Sequence, residues 1–243
     1  MLAEIATMGT VFTLTVDEDS QLLAVWNDLV DEVTHQLEHI DDTFSTYRVN
    51  SEVSRFRRGE GVVHSEDFDE VLVLCEVARE LTDGYFDPWA VPGGYDPSGL
   101  VKGWAGERAL ALLVDAGANE AVVNAGGDVA IHATNPVNIA IRHPEEADRV
   151  CGVVQSTTGV ATSGLYERGC HIVNPFGDEL SAVAATVVGA PLYLADAFAT
   201  ALIAGGDEVL AEMARQGQFR GCYITPDLIM HAIPGTLVDI DAG

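Results

Sequence analysis

The sequence predicts an α+β fold, with mainly antiparallel sheets and with helices collected in groups. In the first half, apolar residues recur at helical spacing over several stretches. From about residue 120 onward, short apolar segments follow one another with turn residues between them. Because strands follow strands instead of alternating with helices, an antiparallel arrangement is favoured over βαβ units. No repeat or linker divides the chain, so we expect one domain over 1–243; a helix-rich and a strand-rich lobe are the alternative, but no composition break marks a boundary between them.

The elements of the first half follow from apolar periodicity and turn residues. Ser51, followed by Glu52, is a suitable cap for a short helix, and Gly84 and Pro88 end the amphipathic stretch before them. The predicted elements are a strand at 11–16, a helix from about 20 to 43, a short helix opened by Ser51, a helix within 67–88 and a helix at about 101–116.

The second half is predicted to be mostly strands, with two helices near its end. The predicted strands lie at 120–125, 128–134, 137–143, 151–157, 159–164, 170–175 and 182–190. Two helices at 195–204 and 207–216 follow, and a strand pair within 221–233 closes the order.

The charge balance excludes one large class of partners. Twelve basic residues face 38 acidic ones, a net charge of −26. Nucleic-acid binding is not expected, because phosphate contacts need clustered Lys and Arg. An anionic ligand would have to be held by local donors or by a bound cation, and Lys102 is the only lysine in the chain.

The sequence also bears on location. Its first residues lack the features of a signal peptide, and no apolar run is long enough to cross a bilayer. The four cysteines are scattered without a CxxC pair, which is typical of free thiols in a reducing compartment. We therefore expect a cytoplasmic protein without membrane insertion.

Several stretches carry polar residues that a core does not require. Asp87, Asp96 and Lys102 lie around a predicted helix start, where they suit a phosphate with a metal ion, or equally turns and a surface lysine. The glycine pair before Asp128 favours a tight turn. Thr162, Ser163 and Gly164 can offer hydroxyls and N–H groups.

Asp196 and Thr200 stand four residues apart on an apolar helix, so both point the same way. Their oxygens suit Mg²⁺. The position of Asp196 favours a helix N-cap, which is the alternative interpretation. His171, predicted on a strand beside a loop, is by itself more often a structural residue than a base.

Taken in order, stretches along nearly the whole chain resemble the ApbE-type flavin transferases, the FAD:protein FMN transferases. These stretches are MGTVF, FSTYRVNSEVSRF, GYFDP, DPSGLVKGWAGERA, NAGGDVA, ATSGLYER, HIVNP and ADAFATAL. The resemblance implies the family's α+β arrangement, related to the tunnelling fold, with FAD in a cleft. The implied FAD contacts are Met8, Tyr47, Tyr85, Phe86, Asp87, Asp96, Lys102 and Ile172.

The resemblance also implies a metal site and a reaction. Mg²⁺, or Mn²⁺, would be held by the carbonyl of Gly99 and the side-chain oxygens of Asp196 and Thr200. FMN would pass from FAD to a Thr or Ser hydroxyl of an acceptor protein, with release of AMP. Lys102 would add positive charge at the phosphoryl group, and His171 is the candidate for taking the hydroxyl proton.

Two alternatives use the same residues: a metal-dependent FAD pyrophosphatase that gives FMN and AMP, and an FAD-binding protein without chemistry. The chain also departs from the family pattern at two positions. Asn174 stands where the family often has aspartate, and Tyr85 is bulkier than the residue often found there.

Overall fold

A computed structural model describes residues 1–17, 20–61, 63–165 and 172–238. Within these ranges the helices are α1 (Ser20–Phe44), α2 (Glu52–Arg57), α3 (Glu66–Leu81), α4 (Ser98–Asp115), α5 (Leu192–Gly205) and α6 (Asp207–Gln216). The strands are β1 (Leu2–Thr7), β2 (Thr10–Val16), β3 (Ala121–Ala125), β4 (Val129–His132), β5 (Val137–Arg142), β6 (Val150–Ser156), β7 (Gly159–Gly164), β8 (Ala184–Val188), β9 (Arg220–Ile224) and β10 (Met230–Ala232).

The strands form one large sheet and one hairpin. The large sheet has eight strands in the order β1-β2-β3-β4-β7-β8-β9-β10, and every neighbouring pair is antiparallel. β5 and β6 form a separate antiparallel pair. The predicted α+β class with antiparallel sheets and grouped helices is thus confirmed.

Helices and the hairpin cover opposite faces of the large sheet. α4 packs against β3 and β4, α5 packs against β7 and β8, and the two helices pack against each other. On the other face, Ile141 and Val154 of the hairpin pack against Val129, Val160 and Val188. Because both faces are covered there, every residue of β8 is buried.

A close contact fixes α4 against the start of α5. A Cβ atom added to Gly103 would lie 2.8 Å from the carbonyl oxygen of Leu192 and 2.9 Å from the Cα of Tyr193. These neighbours are backbone atoms that cannot turn away, so only glycine permits this approach. The contact sets the spacing between the helix that carries Lys102 and the helix that carries Asp196.

Three local predictions from the sequence were wrong. β1 was not predicted, although it pairs along its length with β2. Residues 172–175 of the predicted strand at 170–175 form no strand, and its first two residues lie outside the described ranges. The helix predicted from 195 begins at Leu192, after Pro191 at its N-cap position, so Asp196 lies inside the helix and the N-cap interpretation fails. Among the helices in the described ranges, none is both long and apolar enough to cross a membrane.

Candidate active site

Asp196 and Thr200 lie one turn apart on the same face of α5 and line a common cavity. The Asp196 side chain is 1% exposed, on a helix where most residues are buried and apolar. Its Oδ2 accepts a hydrogen bond from the Gly103 N–H at 3.2 Å. Thr200 Oγ1 lies 3.3 Å from Ser163 Oγ on β7. Burial of a carboxylate is costly unless its environment compensates it, so this placement indicates a role beyond packing.

The backbone of Gly99 completes this cluster from the facing helix. Gly99 has φ −81° and ψ 18°, outside helical values, within the first turn of α4. The Gly103 N–H, one turn further along α4, donates to Asp196 Oδ2. A Cβ atom at Gly99 would lie 2.8 Å from Thr200 Oγ1. The Gly99 backbone, the Asp196 carboxylate and the Thr200 hydroxyl thus line one cavity, and their role as metal ligands stays a prediction.

This cluster differs from a metal site built on several charged ligands. Within the described residues, no group of three or more His, Cys, Asp or Glu side chains is arranged to hold a metal ion. A cation in the cavity would depend on one carboxylate, one hydroxyl and backbone oxygen. Such hard oxygen donors suit Mg²⁺, which usually keeps further positions for water and phosphate oxygens.

Lys102 forms an ion pair that sequence reasoning did not foresee. Its Nζ lies 3.0 Å from Asp128 Oδ2, as a charge contact and not a well-directed hydrogen bond. Asp128 is fully buried, and its Oδ1 accepts from the Thr162 N–H at 3.3 Å. The favoured interpretation of Asp128 as a turn residue alone is therefore incomplete. A lysine whose side chain is only 13% exposed needs a counter-charge, but no local signal in the sequence distinguishes Asp128 from the other acidic residues.

Three cavities meet at Lys102. The first, the Asp196 cavity, also contains Thr162 and Ser98. The second, the Tyr47 cavity, encloses about 440 Å³ and shares Ser98 and Lys102 with the first. The third encloses about 590 Å³ and shares Thr162 and Lys102 with the first and Gly9 with the second. Two of these volumes fall within the roughly 300–1,000 Å³ of typical ligand sites. The lysine thus stands at the junction of one branched cleft.

The loop before α4 contributes the predicted acidic residues, each held by local contacts. Asp87 Oδ1 accepts from the Trp89 N–H at 2.9 Å, and its Oδ2 lies 3.4 Å from Arg79 Nε. Asp96 Oδ1 accepts from the Ser98 N–H at 3.0 Å. Both residues line the Asp196 cavity, together with Phe86, Tyr85 and Ile172. The predicted contacts of this group therefore share one cavity.

The Tyr85 phenol is held by a neighbouring carboxylate and is not suited to act as a general base. Its hydroxyl donates to the Glu208 carboxylate, and its ring packs edge-on against Phe176 with centroids 4.9 Å apart. The hydrogen bond to Glu208 raises the pKa of the Tyr85 phenol to about 12. The phenol therefore stays protonated at neutral pH, and its ring forms part of the cavity wall.

The remaining predicted residues fall in two groups. Met8 and Tyr47 line the Tyr47 cavity rather than the Asp196 cavity, and the Tyr47 ring is 87% exposed. A planar ring on an open wall is suited to stacking with a flat ligand. His171, the candidate base, lies outside the described residues, so its position in the site stays a prediction.

Asn174 shows why this chain does not carry an aspartate at that position. Its Nδ2 donates to the carbonyl oxygen of Ala204 at 3.2 Å, in the last turn of α5. Its Oδ1 accepts from the Phe176 N–H at 3.0 Å. The amide thus shares with the Ser181 hydroxyl, at 3.1 Å, one of the carbonyls at the C-terminus of the helix that carries Asp196 and Thr200.

Asn174→Asp is expected to lower the free energy of unfolding by about 1–3 kcal/mol at pH 7, because a carboxylate cannot donate to the Ala204 carbonyl. Burial and the neighbouring Ala204 carbonyl oxygen disfavour the ionised form and raise the pKa of the new carboxyl in the folded state, so the deficit should disappear as pH falls below the pKa of the unfolded state. Urea unfolding at several pH values measures this. Asn138→Asp is the matched control, since the exposed Asn138 Oδ1 only accepts, from Gln155. Equal losses in both variants would contradict a role for the Ala204 contact.

The fold and the site together define the class of protein. It is an α+β protein with a polar, branched cleft between α4, α5 and the large sheet, and Lys102 lies where the branches of the cleft meet. The ApbE family model matches residues 8–93 and 94–223. The chain belongs to the ApbE family, as the resemblance of its motifs predicted.

Curated relatives carry the name FAD:protein FMN transferase. The protein from Rhodobacter capsulatus is 35% identical over 163 residues, which cover 60% of this chain and 31% of the relative. The protein from Buchnera aphidicola is 31% identical over 144 residues, which cover 52% of this chain and 42% of the relative. The matched regions thus span about a third to two fifths of the length of these relatives.

Solved structures agree with the fold. A mutant form of flavin transferase ApbE from Vibrio cholerae superimposes with a TM-score of 0.82 at 21% identity, covering 97% of each chain. The apo form of the flavinyl transferase ApbE from Pseudomonas stutzeri gives 0.80 at 21% identity, covering 97% of this chain and 95% of the other. At this identity the likeness establishes the α+β fold.

Proposed function

We propose that this chain is a Mg²⁺-dependent FAD:protein FMN transferase, which moves FMN from FAD to a Thr or Ser hydroxyl of an acceptor protein and releases AMP. The observation that carries the proposal is the convergence of Gly99, Asp196 and Thr200 beside Lys102 in one cleft. The names of the curated relatives support the same reaction.

The oxygen cluster fits a divalent cation on the chemistry of its donors. Asp196 supplies the negative charge, Thr200 a hydroxyl, and Gly99 a backbone that departs from the helix at the contact. Bound there, Mg²⁺ would supply charge neutralisation and Lewis acidity at the pyrophosphate of FAD. Mn²⁺ suits the same donors. Such a cation would also let a chain with net charge −26 hold an anionic dinucleotide.

The chain's own residues position the reacting groups. The Asp128 carboxylate holds the Lys102 ammonium at the cleft junction, where it would face negative charge on the transferring phosphoryl group. Met8 and Tyr47 line the Tyr47 cavity, where they would form a wall for the flavin, and Phe86, Asp96 and Ile172 line the Asp196 cavity, where they would contact the rest of the dinucleotide.

The reaction is a substitution at the FMN phosphorus. The acceptor oxygen forms a bond to phosphorus as the bond from phosphorus to the bridging oxygen of AMP breaks. The acceptor hydroxyl loses its proton, and we assign the removal of that proton to His171. The phosphate of AMP carries away the electron pair, so no oxidant or reductant is needed.

The decisive experiment incubates the protein with FAD and Mg²⁺, with and without a domain or peptide that carries the acceptor motif of ApbE-family proteins. Chromatography follows AMP, and intact mass follows the acceptor. We expect the acceptor to gain the mass of FMN minus water, with AMP released in step. Removal of the metal with EDTA should stop both, and added Mg²⁺ should restore them.

Two other outcomes would replace the proposal. AMP and free FMN formed at the same rate without acceptor would make the chain a pyrophosphatase. Bound FAD with no AMP in any tube would make it an FAD-binding protein, although binding alone gives no reason to bury the Asp196 carboxylate beside the Thr200 hydroxyl.

A further inference from the structure

The third cavity, the β5 groove, has no part in the FAD contacts proposed above apart from Lys102. It lies between the β3–β4 turn and β5, and its described lining includes Gly126, Ile139, Ala140 and Arg142. The groove encloses about 590 Å³ and opens onto Lys102, so it has room for a peptide segment beside that lysine.

One wall of this groove is a strand edge with unused backbone groups. Val238 N–H donates to the Val153 carbonyl, so Val153 points its backbone groups away from β5. Ala140 is the partner of Val153 in the antiparallel register. Ala140 and Val153 therefore form a non-hydrogen-bonded pair, in which both residues point their N–H and C=O groups away from the partner strand. The backbone groups of Ala140, and of Asn138 two residues earlier, thus lie at the outer edge of β5. Within the described residues, β5 pairs with no strand except β6.

In the proposed reaction the acceptor must reach the FMN phosphorus from a direction that neither the flavin nor AMP occupies. Three groups must reach the FMN phosphorus: the flavin arm, the departing AMP and the attacking hydroxyl, which enters in line with the departing group. The Asp196 and Tyr47 cavities hold the residues assigned to FAD. Of the three cavities that meet at Lys102 among the described residues, the β5 groove is the one with no assigned FAD contact besides that lysine, and it shares Lys102 and Thr162 with the Asp196 cavity.

The charge of the groove differs from that of the chain. The charged side chains among its described lining residues are Lys102 and Arg142, and no carboxylate is among them, whereas the chain as a whole carries −26. The Lys102 ammonium is already balanced by the buried Asp128 carboxylate, and a basic segment would meet no carboxylate among the described lining residues of the groove. The groove therefore fits a neutral or acidic segment.

We infer that the β5 groove is the acceptor site: the acceptor enters as an extended, neutral or acidic segment that pairs with the outer edge of β5 and points its Thr or Ser hydroxyl at Lys102. Strand addition of this kind gives affinity through main-chain hydrogen bonds. The inference rests on the proposed transfer of FMN, and the bonds made and broken are those of that reaction.

Ala140→Pro tests the pairing, because it removes one outward N–H, and proline is tolerated at an edge strand when its nitrogen faces away from the neighbour. With short threonine peptides as acceptors, we expect kcat/KM for the peptide to fall about fivefold, the effect of one lost hydrogen bond. FAD affinity and acceptor-independent AMP release should not change. Ala140→Val keeps the N–H and is the matched control.

A second measurement leaves the protein untouched. Peptides with a single N-methyl group, moved one residue at a time, should lose transfer at every second position, because alternate residues of a paired strand face the partner. Peptides with aspartate beside the threonine should also react faster than those with lysine there, and Arg142→Gln should reduce that preference.

The outcomes separate the two proposals. Peptide transfer that is indifferent both to Ala140→Pro and to the N-methyl position would overturn the groove assignment and leave the transferase function standing. A fall in FAD affinity in Ala140→Pro would make the groove part of the FAD site instead. Release of AMP without transfer to any peptide or motif-bearing domain would overturn both proposals.

Discussion

Asp196→Asn is expected to remove metal-dependent turnover of FAD, with a loss of at least about 100-fold, the upper end of what changes around a metal's ligands cost. The amide keeps the shape of the side chain and can still accept from the Gly103 N–H, so the helices should stay in place while the negative charge is lost. AMP release measured against Mg²⁺ concentration gives the result. Asp115→Asn, an exposed change at the end of α4, is the control.

Two substitutions of Thr200 separate the loss of its hydroxyl from the loss of its shape. Thr200→Ser keeps the hydroxyl and should retain most activity, whereas the isosteric Thr200→Val should lose it, because the Oγ1 beside Ser163 and Gly99 is gone. Full activity in Asp196→Asn, or equal activity in the two Thr200 variants, would show that these oxygens hold no catalytic cation.

Breaking the Lys102–Asp128 pair is expected to have the largest effect on stability. Lys102→Met leaves a fully buried carboxylate without its counter-charge, and loss of one partner of a buried pair typically costs about 3–5 kcal/mol. The double change Lys102→Met with Asp128→Asn should recover much of this loss, since the remaining charge is then removed. Denaturant unfolding of all four proteins measures the cycle.

The same four proteins report on turnover. If Asp128 acts by holding Lys102, then Asp128→Asn should slow FMN transfer in the parent and add little to the loss in the Lys102→Met background. Equal losses in both backgrounds would mean that Asp128 acts independently of the lysine, for example through its bond to the Thr162 N–H.

Local signals predicted much of the fold and of the cleft. Ser51 caps its helix through a side chain that accepts from Ser54 N–H, as its position in the sequence indicated. The spacing of Asp196 and Thr200 placed both on one face, and the structure confirms this. The start of α5 was predicted too late because the N-cap residue is Pro191, which makes no side-chain capping hydrogen bond, and the first helical residues are apolar.

Long-range contacts explain what the sequence could not provide. Asp128 meets Lys102 only after α4 has packed across β3 and β4, and nothing near either residue in the chain encodes that meeting. The outer edge of β5 also depends on long-range contacts, because it is an edge only where no second strand pairs with β5. Periodicity predicts elements, whereas the register of the sheet determines which side chains share a cavity.

The solitary lysine makes this cleft unusually easy to observe by chemistry. With one ε-amine in the chain, located at the junction of the three cavities, lysine acylation by an amine-directed reagent can occur at a single site. Labelling at that site reports on the cleft interior and on no other part of the surface. Any molecule that enters the junction competes with the reagent for the same space. Protection of Lys102 from acylation therefore measures ligand binding in the cleft without an introduced label.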